Sequence, residues 1–314
     1  MTRPPEVPLD AGQLLAAARA LGLPGKSFSK IPSPGIINTI YLVDDHYVVR
    51  VPRDHHGHFE QTRREASVLP AVAASGVTTA HLLAFDDSCS RLPVPYTIVE
   101  HVQGVDAESA GLVPPDPTTT WRQFGRELAL AHGAVPPVDV VGDTNASETT
   151  DLHDLLEQRA RQGWISNLEA RRLREWTAAL TDYVNEPARP VLLHGDAQMS
   201  NVLVDPSSGA FNSLIDWGCA HMGNPAVDFR VVPLAAVAPM LDGYRDVTGP
   251  IRPSLESEIL LARLRLLVDV LPLGPSPGCS WGERPIAWLV DLFLTLATTA
   301  DPRWTTLLER CPAK

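Results

Sequence analysis

The chain has 314 residues, with 44% hydrophobic and 20% charged residues and a net charge of −11 at pH 7. These values are typical of a globular protein that is long enough to bury a sizeable core and to form two lobes. The sequence also argues against a membrane-spanning helix, because no apolar run reaches ~18 residues. It argues against nucleic-acid binding, because no basic patch stands out.

The N-terminal part predicts a short helix followed by a β-hairpin. The helix runs from Asp10, a typical N-terminal cap, to Gly22, a typical stop. Two apolar runs, 39–44 and 46–51, then flank the pair Asp44-Asp45. Alternating apolar residues around such a pair predict two antiparallel strands joined by a tight turn.

A second helix is predicted over residues 61–73. Its apolar residues recur at helical spacing and define one face: Ala66, Leu69, Val72 and Ala73. Glu65 lies next to this face. Pro70 lies inside the span and predicts a kink or an early end.

The remainder predicts one more strand and several helices. An apolar strand in the segment 95–104 ends at Gly104. Helical patterns follow at 119–132, 151–162, 167–185, 255–271 and 286–299. His132, at the end of the first of these, is interpreted as a buried hydrogen-bonding residue.

The most informative stretch runs from Leu193 to Gly218. It contains Asp196, Asn201 five residues later, and Asp216 fifteen residues after that. Short apolar runs at 190–193, 201–205 and 211–215 predict strands that hold these residues on loops.

This trio has the chemistry of phosphoryl transfer. One carboxylate orients a hydroxyl and accepts its proton, while an amide oxygen and a second carboxylate hold Mg²⁺. Because Mg²⁺ keeps several waters, Asn201 and Asp216 are sufficient protein ligands, and Asp196 is then the catalytic residue. Any one of these residues alone is better explained as a polar turn residue of a β-hairpin. The ordered set in these strand contexts favours the catalytic interpretation.

The same stretch resembles the aminoglycoside phosphotransferase and choline kinase-like family, which includes macrolide phosphotransferases. The resemblance is carried by His-Gly-Asp-x-x-x-x-Asn at 194–201, Ile-Asp-Trp-Gly at 215–218 and Gly-Asn-Pro-x-x-Asp at 223–228. It implies a structural role for Asp228, either capping a helix or bonding the catalytic loop.

The resemblance also implies the fold. We expect an α+β, bilobal protein-kinase-like fold with two domains. Residues 1–101 would form a small N-terminal nucleotide-binding lobe built on an antiparallel sheet. Residues 102–314 would form a larger, mostly helical lobe that carries the catalytic and acceptor-binding residues.

For the nucleotide, the resemblance implies a phosphate-covering loop at 33–39, where Ser33 and Asn38 would contact phosphates. This loop has a single Gly, and a plain turn explains it equally well. Arg50 stands where the family usually has a Lys that binds phosphates, and Glu65 would position it. A guanidinium binds phosphate bidentately and stays charged, so Arg50 can take this role. An exposed strand Arg and a solvated helix Glu are the structural alternatives.

The strand at 95–104 resembles the segment between the two lobes, where backbone groups bind the base. Glu100 and Val102 are therefore the predicted base contacts, and the nucleotide is ATP or GTP.

We predict a nucleotide- and Mg²⁺-dependent phosphotransferase that acts on a hydroxyl of a small molecule. An antibiotic, an aminoglycoside or a macrolide, is the first expectation, and the acidic net charge suits a cationic acceptor. The alternatives are a metabolic kinase for an amino alcohol or sugar, and an inactive kinase-like binding module. Protein kinases are disfavoured because Asp-Phe-Gly and Ala-Pro-Glu segments are missing.

The predicted location is the cytoplasm. The first eight residues lack the apolar core of a secretory signal. The four cysteines are scattered without metal-ligand spacing, which predicts reduced thiols. Cys219, close to Asp216, is interpreted as a packing residue.

Overall fold

The structure is a computed structural model that describes residues 4–23, 25–31, 36–138, 151–184, 186–273 and 285–309. The chain divides into two compact units. The first contains residues 1–112, 130–143 and 194–221, and the second contains residues 113–129, 144–193 and 222–314. The division at 101/102 inferred from the sequence stays a prediction. Within the described ranges, every helix is too short or too polar to cross a membrane.

The first unit is built on a five-stranded antiparallel sheet with strand order β1-β2-β3-β5-β4. Helix α1, Ala11–Ala20, precedes the sheet and begins at Asp10 with the predicted cap, here a capping box that includes Gln13. The strands are β1 Phe28–Ile31, β2 Asn38–Val43, β3 Tyr47–Pro52, β4 Leu82–Asp86 and β5 Tyr96–Glu100. The predicted hairpin is therefore β2–β3, whereas β1 and β4 were not predicted.

The turn between β2 and β3 explains why this hairpin is readable from the sequence. Asp44 and Asp45 both have positive φ, 49° and 58°, and the N–H of His46 bonds to the carbonyl of Val43. A hairpin turn of this hand matches the twist of the strands, and Asp tolerates the left-handed region better than most residues.

The two faces of the sheet have different functions. Val49 and Val51 of β3 are buried in the hydrophobic core that also contains Leu14 and Ala17 of α1. Because side chains alternate along a strand, Arg50 points to the opposite face. The second helix, α2 (His56–Ala74), packs on that face with Glu65 toward Arg50.

Helix α2 spans His56–Ala74, beginning five residues before the predicted start at Gln61. It also continues four residues past Pro70, so the predicted early end is wrong. Ser75 then caps its C-terminal turn, with its N–H bonded to carbonyls of the last turn. The buried face contains Thr62, Glu65, Ala66, Val68, Leu69 and Val72.

The first unit also holds a three-stranded sheet with order β6-β8-β9. Its strands are β6 Val105–Asp106, β8 Val202–Val204 and β9 Phe211–Leu214, and the last two match the sequence expectation. Strand β9 is also hydrogen-bonded to the segment after α2: the carbonyl of Thr78 accepts the N–H of Leu214 and the hydroxyl of Ser213. The end of β9 is therefore fixed to the segment that follows α2.

The second unit is mostly helical. Its helices are α3 Thr118–His132, α4 Leu152–Arg161, α5 Asn167–Thr181, α6 Leu234–Thr248, α7 Leu255–Val270, α8 Pro285–Thr298 and α9 Pro302–Glu309. Short strands β7 Val191–Leu193 and β10 His221–Gly223 pair with each other. Helices α6 and α9 were not predicted, and Pro239 and Gly243 inside α6 are the kind of residues that hide a helix in the sequence.

Two glycines explain how α3 and α6 cross. A Cβ at Gly125 would lie 1.8 Å from the carbonyl oxygen of Met240, and a Cβ at Gly243 would lie 1.8 Å from that of Arg122. The two helix backbones therefore touch, and Gly243 is needed for contact rather than for flexibility.

Asp228 lies within a short 3-10 helix, Pro225–Phe229, and is buried. The cap of that helix is Asn224, whose side chain accepts the N–H of Ala226. The capping role considered for Asp228 therefore belongs to Asn224. His132, at the end of α3, is buried as expected.

Candidate active site

The predicted catalytic residue Asp196 is held by two amide side chains. Its Oδ2 accepts hydrogen bonds from Gln198 Nε2 at 3.0 Å and from Asn201 Nδ2 at 3.1 Å. Asn201 Nδ2 also bonds the carbonyl of Asp196 at 2.8 Å, across a 3-10 turn at Met199–Asn201. Burial raises the pKa of Asp196, and the nearby Asp216 raises it further. The carboxylate is thus both oriented and made more basic.

His194 links this loop to the segment that carries Asp216. Its Nδ1 accepts the N–H of Asp196 at 3.3 Å, so the ring proton is on Nε2, which donates to the carbonyl of Ile215 at 2.9 Å. The N–H of Ile215 in turn bonds the carbonyl of Asn201. His194 is fully buried, with its ring centroid 4.5 Å from that of Trp217. These bonds hold the two parts of the motif side by side.

Arg50 lies between two carboxylates. Its Nε is 3.1 Å from Glu65 Oε2, and its Nη2 is 2.7 Å from Asp216 Oδ1. Both Arg50 and Glu65 are buried, whereas Asp216 is partly exposed. The structure therefore brings together the predicted Arg50–Glu65 pair and adds Asp216, a partner that the sequence did not indicate.

The backbone at Asp216 is unusual. Asp216 has φ 71° and ψ 69°, a left-handed conformation that costs free energy for any residue with a Cβ. The next residue, Trp217, is fully buried; its indole Nε1 donates to Thr79 Oγ1 at 3.0 Å, and its backbone N–H donates to Glu65. These contacts hold the strained backbone and fix the direction of the Asp216 side chain.

The same contacts set the charge balance. The pKa of Glu65 is raised to about 7, mainly because the group is buried and also because Asp216 is near. Arg50 and the N–H of Trp217 act in the opposite direction and lower it. For Arg50, burial lowers the pKa, but Glu65 and Asp216 outweigh burial and raise it. Arg50 therefore stays charged, and its charge holds two buried or half-buried carboxylates together.

The donor atoms fit a Mg²⁺ ion. Both hydrogen bonds of the Asn201 side chain use Nδ2, so Oδ1 is left as an oxygen donor. The Asp216 carboxylate is the second oxygen donor, and its Oδ1 is paired with Arg50. Mg²⁺ prefers oxygen ligands and is usually bound through one or two protein groups together with waters and phosphates.

The predicted nucleotide contacts are only partly assembled by the described residues. Asn38 begins β2 and is buried, and no hydrogen-bond partner for its Oδ1 occurs among the described residues. Glu100 ends β5, where its N–H bonds the carbonyl of His81. Val102 follows, and within the described ranges its backbone groups make no hydrogen bond, so they can bind a base. Ser33 lies outside the described residues.

Two site residues were missed at the sequence level. Gln198 was an unspecified position within the motif, although an amide two residues after an Asp can fold back on its carboxylate. Trp217 was seen only as part of a motif, and nothing in the sequence indicates that its N–H bonds Glu65. Cys219 is half-buried against Gln61, and burial raises its thiol pKa to about 11, which agrees with a packing role.

An antiparallel sheet that presents Arg50 to a helix Glu, beside loops that carry Asp196, Asn201 and Asp216, defines a kinase-like phosphotransferase. A family model described as the phosphotransferase enzyme family matches residues 30–256. The chain belongs to this family of phosphotransferases, which confirms the resemblance and the phosphotransferase class expected from the sequence.

The mouse (Mus musculus) protein acyl-CoA dehydrogenase family member 10 is 24% identical over an alignment of 204 positions that covers 58% of this chain and 18% of that protein. The chain thus spans less than a fifth of that relative's length.

Solved structures confirm the expected fold. The macrolide 2'-phosphotransferase MphH from Brachybacterium faecium has a TM-score of 0.59 at 19% identity, with 96% of this chain and 99% of that chain covered. Macrolide 2'-phosphotransferase type I has a TM-score of 0.56 at 21% identity, with both chains covered completely. The GDP complex of aminoglycoside 2'-phosphotransferase-IIIa has a TM-score of 0.57 at 16% identity, with 95% of each chain covered.

Proposed function

We propose that this protein transfers the terminal phosphoryl group of ATP or GTP to a hydroxyl group of an antibiotic, a macrolide or an aminoglycoside. The observation that carries the proposal is the set of bonds that holds the Asp196 carboxylate beside Asp216 and Asn201. This is the group arrangement that phosphoryl transfer requires.

Asp196 orients the acceptor hydroxyl and takes its proton. Gln198 and Asn201 occupy only Oδ2, so Oδ1 is the oxygen that can accept a hydrogen bond from the acceptor. Its raised pKa moves this carboxylate toward the range in which a general base is effective near neutral pH.

The remaining residues bind the nucleotide. Asn201 Oδ1 and the Asp216 carboxylate would hold Mg²⁺, which when bound neutralises charge on the phosphate oxygens. Arg50 grips phosphates with the guanidinium edge that Glu65 does not use. Asn38 and Ser33 contact phosphates. The backbone groups of Glu100 and Val102 bind the base.

Within the antibiotic class, the ion pairs of the second unit favour an acceptor of low positive charge. Aminoglycosides are polycations, and the sequence offers many carboxylates that could bind them. Six of these carboxylates are already paired with arginines at 3.5 Å or less: Glu157, Asp242, Asp246, Glu256, Glu258 and Asp269. Because each of these carboxylates already has an arginine partner, fewer are available to a polycation, and we propose a macrolide as the first acceptor to test.

The similar solved structures support both acceptor classes in the proposal, macrolides and aminoglycosides. Macrolide phosphotransferases are similar along the whole chain, and other similar structures hold streptomycin with ATP, gentamicin, or kanamycin with GDP. The net charge of −11 still attracts a cationic acceptor at long range.

The test is nucleotide consumption by the purified protein with Mg²⁺ and either ATP or GTP. The acceptor panel contains macrolides, aminoglycosides, choline and simple sugars, and the Asp196→Ala variant is the control. Macrolide-dependent consumption that the variant loses supports the proposal. Stimulation by choline or a sugar alone would show a metabolic kinase instead, and failure to bind any nucleotide would show an inactive module.

A further inference from the structure

Arg50 contacts a carboxylate of the candidate site, and the inference drawn from this contact rests on the proposed function. In the structure, the guanidinium donates from Nη2 to Asp216 Oδ1 at 2.7 Å while its Nε faces Glu65 at 3.1 Å. Asp216 is a carboxylate that the proposed function assigns to the divalent ion. One cation of the protein therefore already neutralises a proposed metal ligand.

The Arg50–Asp216 contact is part of a ring of interactions that begins and ends at Arg50. Arg50 pairs with Glu65, Glu65 accepts the backbone N–H of Trp217, and Trp217 directly follows Asp216, which returns to Arg50. Each member restrains the next, and Trp217 is anchored further by Thr79. The position of Asp216 against Arg50 is thus fixed from both its side chain and its backbone.

The side-chain chemistry of Arg makes this geometry possible. A guanidinium carries its donors on separate nitrogens in a rigid fork, so Nε can face one carboxylate while Nη2 bonds another. Lys offers one nitrogen at the end of a flexible stem. Arg50 therefore makes a directed bond to Asp216 that competes with a divalent ion for this carboxylate.

We propose that the Arg50–Asp216 ion pair blocks binding of a free divalent ion, so that the ion enters only together with nucleotide phosphates that take over Arg50. Phosphate oxygens offer the guanidinium a substitute for Asp216 Oδ1, and the released carboxylate becomes a metal ligand. The protein then discriminates the metal–nucleotide complex from the free ion. Arg50 acts here as a positioning residue for Asp216.

The test measures binding of Mn²⁺, a paramagnetic substitute for Mg²⁺, to the nucleotide-free full-length protein by electron paramagnetic resonance. Arg50→Gln removes the competing charge, and Arg50→Lys keeps a charge near Glu65. We expect Mn²⁺ to bind Arg50→Gln about tenfold more tightly than wild type, because a hydrogen bond between charged groups no longer has to be broken. Arg50→Lys should lie between them.

Two controls define the site and the charge effect. Arg63 of α2 also pairs with two carboxylates, Glu60 and Asp87, but at the surface, so Arg63→Gln removes the same charge without freeing Asp216. Its Mn²⁺ affinity should equal that of wild type. Adding Asp216→Asn to Arg50→Gln should abolish the gain.

Mn²⁺-dependent thermal stabilisation gives a second readout, which covers the case in which Arg50→Gln folds poorly. The ion should raise the melting temperature of both Arg50 variants more than that of wild type. Equal free-ion affinity and equal stabilisation in wild type, Arg50→Lys and Arg50→Gln would overturn the inference. If wild type failed to bind Mn²⁺–ATP and Mn²⁺–GTP as well, the proposed function itself would be at fault.

Discussion

Gly195 and Cys219 approach so closely that no side chain fits between them: a Cβ at Gly195 would lie 2.1 Å from the carbonyl oxygen of Cys219. Gly195 also has φ 80°, in the left-handed region that favours glycine. The glycine next to Asp196, the proposed catalytic residue, is therefore required by both space and backbone conformation.

Gly195→Ala should lower the free energy of unfolding by about 3 kcal/mol or more and reduce turnover strongly, because the loop must move away from Cys219. Gly22→Ala is the matched control, since Gly22 has the same φ of 80° with nothing within 4 Å. It should cost only about 1–2 kcal/mol of backbone strain. Urea denaturation and turnover of both variants measure the difference, and equal losses would show that the contact with Cys219 is unimportant.

Asp196→Ala should lower turnover by about 10²- to 10⁴-fold, because the acceptor hydroxyl loses its general base. Nucleotide affinity should change little, since no residue proposed to bind the nucleotide is among the hydrogen-bond partners of the Asp196 carboxylate, and the proposed metal ligand Asn201 bonds it through Nδ2 rather than Oδ1. Gln198→Ala should lower turnover by about tenfold, through loss of one hydrogen bond to the carboxylate. Steady-state kinetics and nucleotide titration check both variants. A loss below about tenfold for Asp196→Ala would contradict its assigned role.

Gly243→Ala should destabilise the second unit by about 3 kcal/mol or more, because its Cβ would collide with the carbonyl of Arg122 on α3. Helix backbones cannot be rearranged as readily as side chains. Gly12→Ala, at an exposed position of α1, has only the end of the Asp10 side chain nearby and should raise stability by about 0.5–1 kcal/mol. Opposite signs in chemical denaturation would confirm the helix crossing, whereas a gain in both would refute it.

Asp86 makes the stability of the first unit depend on pH. Hydrogen bonds from Ser88 lower the pKa of Asp86 to about 2, with Arg91 adding to the effect against a burial penalty. Because this pKa is lower in the folded state, the stabilisation is present above pH ~4 and disappears as the pH falls toward ~2. Its size near neutral pH is about 1–2 kcal/mol, since one pKa unit corresponds to ~1.4 kcal/mol and the charged partner Arg91 is exposed to solvent, which screens the pair.

The measurement is the difference in unfolding free energy between wild type and Asp86→Asn at pH 5 and at pH 2.5. The difference should shrink at the lower pH. Asp87→Asn removes the neighbouring carboxylate, which forms a surface pair with Arg63, and should cost about 0.5 kcal/mol or less at pH 5. A difference for Asp86→Asn that does not change with pH would exclude the proposed linkage.

Local patterns in the sequence were sufficient where neighbours along the chain decide the structure. The cap of α1 at Asp10, the β2–β3 turn at Asp44-Asp45 and the strands around the catalytic loop depend on residues within a few positions. Where they failed, a local rule was overruled by packing. Pro239 and Gly243 disfavour a helix by local rules, so α6 was not predicted. Gly243 is nevertheless required within α6, because the backbone of α3 touches it at that point.

The sequence by itself determined the phosphotransferase family and the candidate chemistry, since Asp196, Asn201 and Asp216 lie in one short motif. It also indicated the Arg50–Glu65 pair, because the family that the sequence resembles has a cation on this strand and a Glu on the next helix. Only the tertiary structure decided that Arg50 also binds Asp216, 166 residues away along the chain. Such a contact depends on how separate elements pack and on the left-handed backbone at Asp216, and neither leaves a periodic signal in the sequence.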